Sequence, residues 1–284
     1  MTNNNETARP MAARMILCSS SVRTRVPFEQ AMADIGGAGF RDIDLLAINT
    51  WAHINPAVLA ADYDAVTARA EAVFIKRGLT VRSMNVGFTR QLYDRSPESV
   101  GQNLRECEAV CRFMNYFGAG AAALQPLGID PARDRGEALD DCIASLADYY
   151  ECAGRYGIKL GIELHVNSHF ESRDAIDRLF SKIPDAGVAY DPSHFVAQGA
   201  DIRESEFIMK NSVNAHLRDS APGDDLQTPL GAGAVDFEWI ADKLAAHNYR
   251  GHYSIEYLDN EKWDALGEAV KLRGLLESLR INTR

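Results

Sequence analysis

Cysteine is scarce in this chain, and none of it is spaced as a CxxC pair. The 284 residues contain five cysteines, at Cys18, Cys107, Cys111, Cys142 and Cys152. An odd number without paired spacing argues against a disulfide framework or a redox motif. Cys107 and Cys111 are four residues apart in a helical pattern, where a thiol is expected to act as a small core residue. We therefore expect a reduced protein in the cytoplasm.

Long hydrophobic runs are also missing. The first thirteen residues are polar and are expected to be loose, and the apolar run from Met15 to Cys18 is far too short for a signal peptide or a membrane span. No Pro/Gly/Ser-rich linker and no shift in composition divides the remainder. Residues 14–284 are therefore expected to form a single domain.

Positive charge and nucleotide-binding loops are both lacking. The chain has 30 basic and 40 acidic residues and a formal net charge of −10, whereas nucleic-acid surfaces are built from clustered Lys and Arg. Gly231 and Gly233 lack the third glycine of a dinucleotide fingerprint, and no P-loop is present. The expected partner is a small molecule, with no nucleic acid and no membrane.

What the sequence does contain is an eightfold alternation of strand-like and helix-like segments. Helical spacing is clear at 28–38, 62–77 and four later stretches, with a further helix near 201–210 and another beginning at a predicted N-cap, Asp236. Strict alternation favours a parallel sheet covered by helices, either doubly wound or closed. Eight units and a length near the typical 250 residues favour an α/β fold, the (β/α)8 TIM barrel. The predicted strands are 14–18, 40–46, 79–86, 119–126, 158–165, 186–191, 212–219 and 251–258.

Four polar residues interrupt the apolar strands five to eight near their carboxyl ends, where barrel enzymes place their active sites. They are Glu163, Asp191, His216 and Glu256. A buried carboxylate costs several kcal/mol unless it is paired or holds a metal. A structural ion pair would explain one such residue, whereas four on successive strands predict one site for a divalent ion with oxygen and nitrogen ligands.

Three further residues are predicted to bind substrate. His165 follows Glu163 by two positions and Arg218 follows His216 by two, so strand alternation directs each pair to one face. His194 follows the Asp191-Pro192 turn. For Arg218 the alternative is a structural ion pair with a neighbouring acid, and for His165 it is a plain rim histidine.

The motifs IELH at 162–165, YDPSH at 190–194, HLRD at 216–219 and IEY at 255–257 together resemble the xylose isomerase-like family of sugar isomerases and epimerases. The resemblance is nearest to the ketose 3-epimerase, hydroxypyruvate isomerase and inosose dehydratase branches of that family. The resemblance implies one Mn²⁺, Mg²⁺, Co²⁺ or Zn²⁺ ion on the four ligands, with Glu163 and Glu256 also serving as the catalytic acid and base.

That resemblance implies an isomerase or epimerase that acts on a sugar, polyol or hydroxy-keto compound through an enediolate. A lyase that dehydrates an inosose-like keto compound would use the same ligands. An endonuclease IV-like nuclease is disfavoured, because only His53 precedes residue 165 among the histidines and the charge is negative. His169 and Phe170 stand where 3-epimerases carry another acid, which departs from that branch. A homodimer or homotetramer is the expected assembly.

Overall fold

Eight parallel strands close into one barrel in the order of the chain. The computed structural model describes residues 16–223 and 226–281, so the segment 1–13 lies outside the described residues. Each strand pairs with the next and β8 pairs with β1, which confirms the closed single-domain barrel over the open sheet. The strands are β1 (Ile16–Ser19), β2 (Asp42–Ile48), β3 (Thr80–Gly87), β4 (Ala121–Leu124), β5 (Lys159–Glu163), β6 (Val188–Tyr190), β7 (Ser212–Leu217) and β8 (Tyr253–Ile255).

Helices surround the barrel. None of the described helices is long and apolar enough to cross a membrane. Two short 3-10 helices, Ser20–Arg23 and Ile202–Asn211, complete the shell, so the helix expected near 201–210 is present in the tighter 3-10 form. The α-helices are α1 (Phe28–Gly37), α2 (Pro56–Ala61), α3 (Tyr63–Arg77), α4 (Pro97–Phe117), α5 (Arg135–Arg155), α6 (Arg173–Lys182), α7 (Ser193–Ala197), α8 (Phe237–Ala246) and α9 (Ala265–Ile281).

Side-chain caps begin several of these helices. Asp236 accepts a hydrogen bond from the Trp239 amide at 3.0 Å, which confirms the predicted N-cap of α8. The Asn55 side chain likewise accepts from the Val58 amide at 3.1 Å, one residue before Pro56. An asparagine cap followed by proline is a recognised helix start, and it explains the short helix α2 that periodicity did not reveal.

The core fills the layer between the strands and the helices. The apolar residues at helical spacing face inward, because most of them are buried while most of the intervening polar residues are at least partly exposed. Burial of this stripe, rather than intrinsic propensity, supplies most of the stability of an amphipathic helix. The buried members are Cys107, Cys111, Met114, Leu139, Cys142, Ile143, Leu146, Ile176, Leu179, Phe237, Ile240, Leu244, Leu272 and Leu276.

Two glycines allow close packing where β5, β6 and β7 meet. A Cβ on Gly161 would lie 2.5 Å from the Val188 carbonyl carbon and 2.6 Å from Val213 Cγ2, and Gly187 is equally crowded. Only a residue without a side chain fits at such a separation. At the same amino-terminal end, a cavity of about 700 Å³ opens between the starts of β4 to β8, far from the carboxyl-end residues predicted to do chemistry.

We predict that Gly161→Ala destabilises the barrel. The added methyl group must displace backbone in β6, so the free energy of unfolding should fall by about 1–3 kcal/mol. Gly154→Ala is the matched control, because Gly154 is exposed in α5 and a Cβ added there would meet nothing within 4 Å. That change should raise stability by about 0.4–1 kcal/mol. Urea unfolding measures both, and equal midpoints for the two variants would contradict the crowding argument.

Candidate metal centre

The four predicted ligands come together at the carboxyl ends of β5 to β8. Glu163 is the last residue of β5, His216 lies in β7, and Asp191 and Glu256 directly follow β6 and β8. All four side chains are 0–1% exposed. One donor atom from each residue lies within 4.8 Å of the others. The strands therefore gather the four groups into a single cluster.

The spacing within this cluster suits one small cation. His216 Nδ1 lies 3.2 Å from Glu163 Oε1 and 3.1 Å from Glu256 Oε2. Metal–oxygen and metal–nitrogen bonds of about 2.0–2.2 Å place neighbouring ligand atoms about 3 Å apart and opposite ones about 4–4.5 Å apart. The observed separations fit this range, so the donor set matches a divalent ion without a large rearrangement.

The charge of the cluster also favours a divalent ion. Asp44 joins the three predicted carboxylates, with Oδ2 3.6 Å from His216 Nε2, and Arg218 is the one permanent cation that contacts these acids within the described residues. Glu163 Oε2 is buried without a hydrogen-bond partner. A buried site with excess negative charge and a carboxylate oxygen that lacks a hydrogen-bond partner favours a bound cation.

The ionisation of His216 and Glu256 reflects this environment. Burial opposes charge on His216, but the carboxylates of Glu256, Glu163 and Asp44 outweigh it and raise the His216 pKa well above its usual value. Burial also acts to raise the pKa of Glu256, yet the charges of His216 and Arg218 prevail and lower it to about 2. A proton on His216 thus offsets part of the negative charge of the surrounding carboxylates, which a divalent cation would otherwise balance.

Arg218 links two of the ligands. Its Nη2 donates to Asp191 Oδ2 at 2.8 Å, and its Nη1 donates to Glu256 Oε2 at 3.2 Å and to the Glu256 carbonyl oxygen at 3.1 Å. Its Nε donates to Ser193 Oγ at 2.9 Å. The buried guanidinium orients both carboxylates, and this is the structural ion pair considered from the sequence. A contact with substrate remains a prediction for this residue.

The rings of the two predicted substrate histidines pack against each other at a tilt of 44° at the site. The rings of His165 and His194 have centroids 4.2 Å apart. His194 is fully buried, its Nδ1 accepts from the Val166 amide at 3.3 Å, and burial lowers its pKa to about 3, so it is neutral. His165 is only partly buried and uses Nδ1 toward the Val166 carbonyl oxygen at 2.7 Å. His165 is therefore the less buried of the two histidines.

Polar residues on β2 and β3 also reach the cluster, and the sequence patterns did not indicate them. The Asn85 side-chain amide donates to Glu256 Oε1, and Ser83 Oγ donates to Asp44 Oδ1. Burial raises the pKa of Asp44. Asp44 interrupts the apolar run DIDLL just as Glu163 interrupts its own strand. The signal that pointed to Glu163 was therefore also present for Asp44, although it was not used there.

Asp219 organises the long loop after β7. Its carboxylate accepts from the amides of Gly231 at 2.7 Å, Gly233 at 3.1 Å and Val235 at 3.3 Å. Because Asp219 follows Arg218 directly, the same short segment orients two of the predicted metal ligands and holds the loop beside them. The aspartate that ends the HLRD motif is therefore structural.

Residues 169 and 170 depart from the pattern of the 3-epimerases, and the structure shows how they are used instead. Phe170 is fully buried, and His169 packs edge-on against Tyr93 with ring centroids 5.5 Å apart. His169 Nε2 is buried without a hydrogen-bond partner. A neutral ring thus occupies the place at which the resemblance implies an acid.

Comparison with known proteins defines the class. The family model described as xylose isomerase-like TIM barrel matches residues 32–278, and the chain belongs to this family. It is 27% identical over 137 residues to an inosose dehydratase of Lactiplantibacillus plantarum, a match that covers 41% of this chain and 46% of that relative. The chain thus spans less than half the length of this relative.

Solved structures share the fold. A D-tagatose 3-epimerase-like protein superposes with a TM-score of 0.76 at 16% identity, covering 95% of this chain and 100% of that one. A xylose isomerase-like TIM barrel protein from Mycobacterium smegmatis, solved with magnesium, gives 0.74 at 17% identity and covers 95% and 98%. These TM-scores establish a common fold.

We predict that Mg²⁺ or Mn²⁺ stabilises the protein through the cluster. An ion that binds only the folded state should add about 2.7 kcal/mol at a hundredfold excess over its Kd, seen as a rise in Tm. Asp191→Asn removes one negative ligand and should abolish most of that rise. Asp185→Asn, an exposed aspartate at the opposite end of the barrel, is the control and should keep it. Equal rises in both variants would show that the ion binds elsewhere.

Proposed function

We propose that the protein is a divalent-metal-dependent isomerase or epimerase of a sugar, polyol or hydroxy-keto compound. The observation that carries the proposal is the pair of buried glutamates, Glu163 and Glu256, that flank one histidine at the mouth of a sugar-isomerase-type barrel. The family and its epimerase neighbours support the same reaction class. Its substrate would be a small polyhydroxy carbonyl compound.

One divalent ion, held by Glu163, Asp191, His216 and Glu256, would supply Lewis-acid polarisation of the substrate carbonyl when bound. The oxygen-rich donor set favours Mg²⁺ or Mn²⁺ and accommodates Co²⁺ or Zn²⁺. Magnesium in the Mycobacterium smegmatis neighbour supports this range. The four residues fit the ion by distance, by burial and by charge.

The glutamates would move the proton. Glu256 is held ionised by Arg218 and by the Asn85 amide, so it would take a proton from carbon next to the carbonyl. Glu163, whose Oε2 has no hydrogen-bond partner among the described residues, would carry a proton on that oxygen and give it to the other side of the enediolate, which leaves Glu256 protonated and Glu163 ionised. If a proton is returned to the same carbon on the opposite face, the product is an epimer. If a proton is returned to the neighbouring carbon, the product is an isomer.

Three polar side chains would position the substrate. His165 is only partly buried, has a ring nitrogen within 4.8 Å of a Glu163 carboxylate oxygen and is the leading candidate to contact a substrate hydroxyl. His194 and Arg218 already bond to the protein, so they would act on substrate from fixed positions. Such preorganisation holds a donor where it is needed without further loss of side-chain freedom.

Dehydration of an inosose-like keto compound is the second candidate. The sequence match to an inosose dehydratase favours it, as does His169 at the position where 3-epimerases carry an acid. The first step, removal of a proton next to the carbonyl, is shared. The outcome then depends on whether a β-hydroxyl leaves or the proton returns.

We predict that Glu163→Gln and Glu256→Gln each lower turnover by roughly 10² or more, because the amide cannot accept a proton. The amide keeps one oxygen ligand, so each variant should still bind metal in part. Turnover is measured on a panel of keto-sugars with Mn²⁺ present, in deuterated water. Wild-type product should carry solvent deuterium at the carbon next to the carbonyl.

Glu29→Gln is the control for these variants, since Glu29 is exposed and pairs with Arg69 on the outer helices. It should retain wild-type turnover. If both site variants also retain it, the two glutamates are ligands only and the acid–base assignment is wrong.

The two reaction outcomes separate by product mass. We predict that active keto-sugars are converted to products of unchanged mass apart from deuterium, whereas a dehydratase would release one water from an inosose. Abasic-site duplex DNA serves as a negative substrate and should not be cleaved. Loss of water from an inosose, with no reaction on any keto-sugar, would select the lyase instead.

A further inference from the structure

Three buried cysteines meet between two outer helices. Cys107 and Cys111 lie one turn apart on α4, and Cys152 lies in the last turn of α5. Their three sulfur atoms all lie within 4.8 Å of one another, and each residue is 1–4% exposed. All three are free thiols. We call this group the thiol cluster.

We propose that the thiol cluster binds one soft divalent metal ion of the zinc class. Metal–sulfur bonds of about 2.3 Å place three sulfurs around one ion about 4 Å apart. The existing sulfur positions need to close by less than about 1 Å to reach that arrangement. Thiolates select soft ions such as Zn²⁺ and Cd²⁺ over Mg²⁺ or Ca²⁺.

Charge favours a divalent occupant over a monovalent one. Arg155, an exposed residue at the carboxyl end of α5, interacts with Cys152 through its charge. Three thiolates and one divalent ion leave a single negative charge beside this guanidinium, whereas a monovalent ion would leave two. Buried charge without a partner is costly, so the divalent ion gives the more stable combination.

The ion would take the place of the thiol protons. Binding would form three metal–sulfur bonds, break the S–H bonds of the cluster and release those protons to solvent, with no change in oxidation state.

This site would be separate from the metal centre at the barrel mouth in place and in chemistry. The barrel ligands are carboxylates and an imidazole, and the thiol cluster offers sulfur alone. An ion held by both α4 and α5 would cross-link neighbouring helices on the outside of the barrel. It would stabilise the fold by mass action without touching the substrate.

Cadmium titration of the full-length protein tests the proposal, since thiolate-to-cadmium charge transfer absorbs in the ultraviolet and carboxylate ligands give no such band. With excess Mg²⁺ present, the band should saturate at one Cd²⁺ per chain. Cys152→Ala should abolish it. Cys142→Ala should keep it, because Cys142 is equally buried on the same helix but lies outside the cluster.

X-ray absorption of the cadmium-loaded wild-type protein gives a second measurement that needs no variant, in case Cys152→Ala fails to fold. Three sulfur neighbours per cadmium are expected. Oxygen and nitrogen neighbours alone, an absent charge-transfer band, or an unchanged band in folded Cys152→Ala would each overturn the thiol site. None of these outcomes depends on the proposed sugar chemistry, because the band and the sulfur shell report on thiolates only.

Discussion

The structure depends most on a concentration of buried negative charge at the carboxyl ends of β5 to β8. Glu163, Asp191 and Glu256 are almost fully buried within reach of one another, and Asp44 adds a fourth acid. Such a group repels itself and loses its hydration, so it persists only with compensating cations. Arg218 supplies one fixed positive charge, and the remaining excess favours a divalent ion. The arrangement of loops and supporting contacts around the site follows from this requirement.

Much of the fold could be predicted from sequence because a barrel repeats one local pattern eight times. Each unit shows a short apolar strand and a helix with one buried stripe, and all eight strands lie near the predicted positions. The four cluster residues were visible for a related reason, since a charged side chain inside an apolar strand is conspicuous. What local pattern could not show was the 3-10 form of 202–211, which depends on how that segment packs between β6 and β7.

The contacts missed from sequence are those made between elements distant in the chain. Asn85 reaches Glu256 across 171 positions, and no spacing rule connects them. Cys152 joins Cys107 and Cys111 only because α4 and α5 pack side by side. Strand alternation places Arg218 on the same face of β7 as His216, whereas its bonds to the protein are set by the closure of the barrel. Side-chain direction in a barrel interior is a property of the closed fold.

All four ligands of the cluster come from the second half of the chain, β5 to β8, while the first half contributes only polar contacts such as Asp44 and Asn85. The loops that follow β1 to β4 therefore carry none of the four. Mutations there can reshape the rim of the site while the ion-binding residues stay intact. For the proposed function, this division would allow substrate preference to diverge in one half of the barrel while the other half keeps the residues of the reaction.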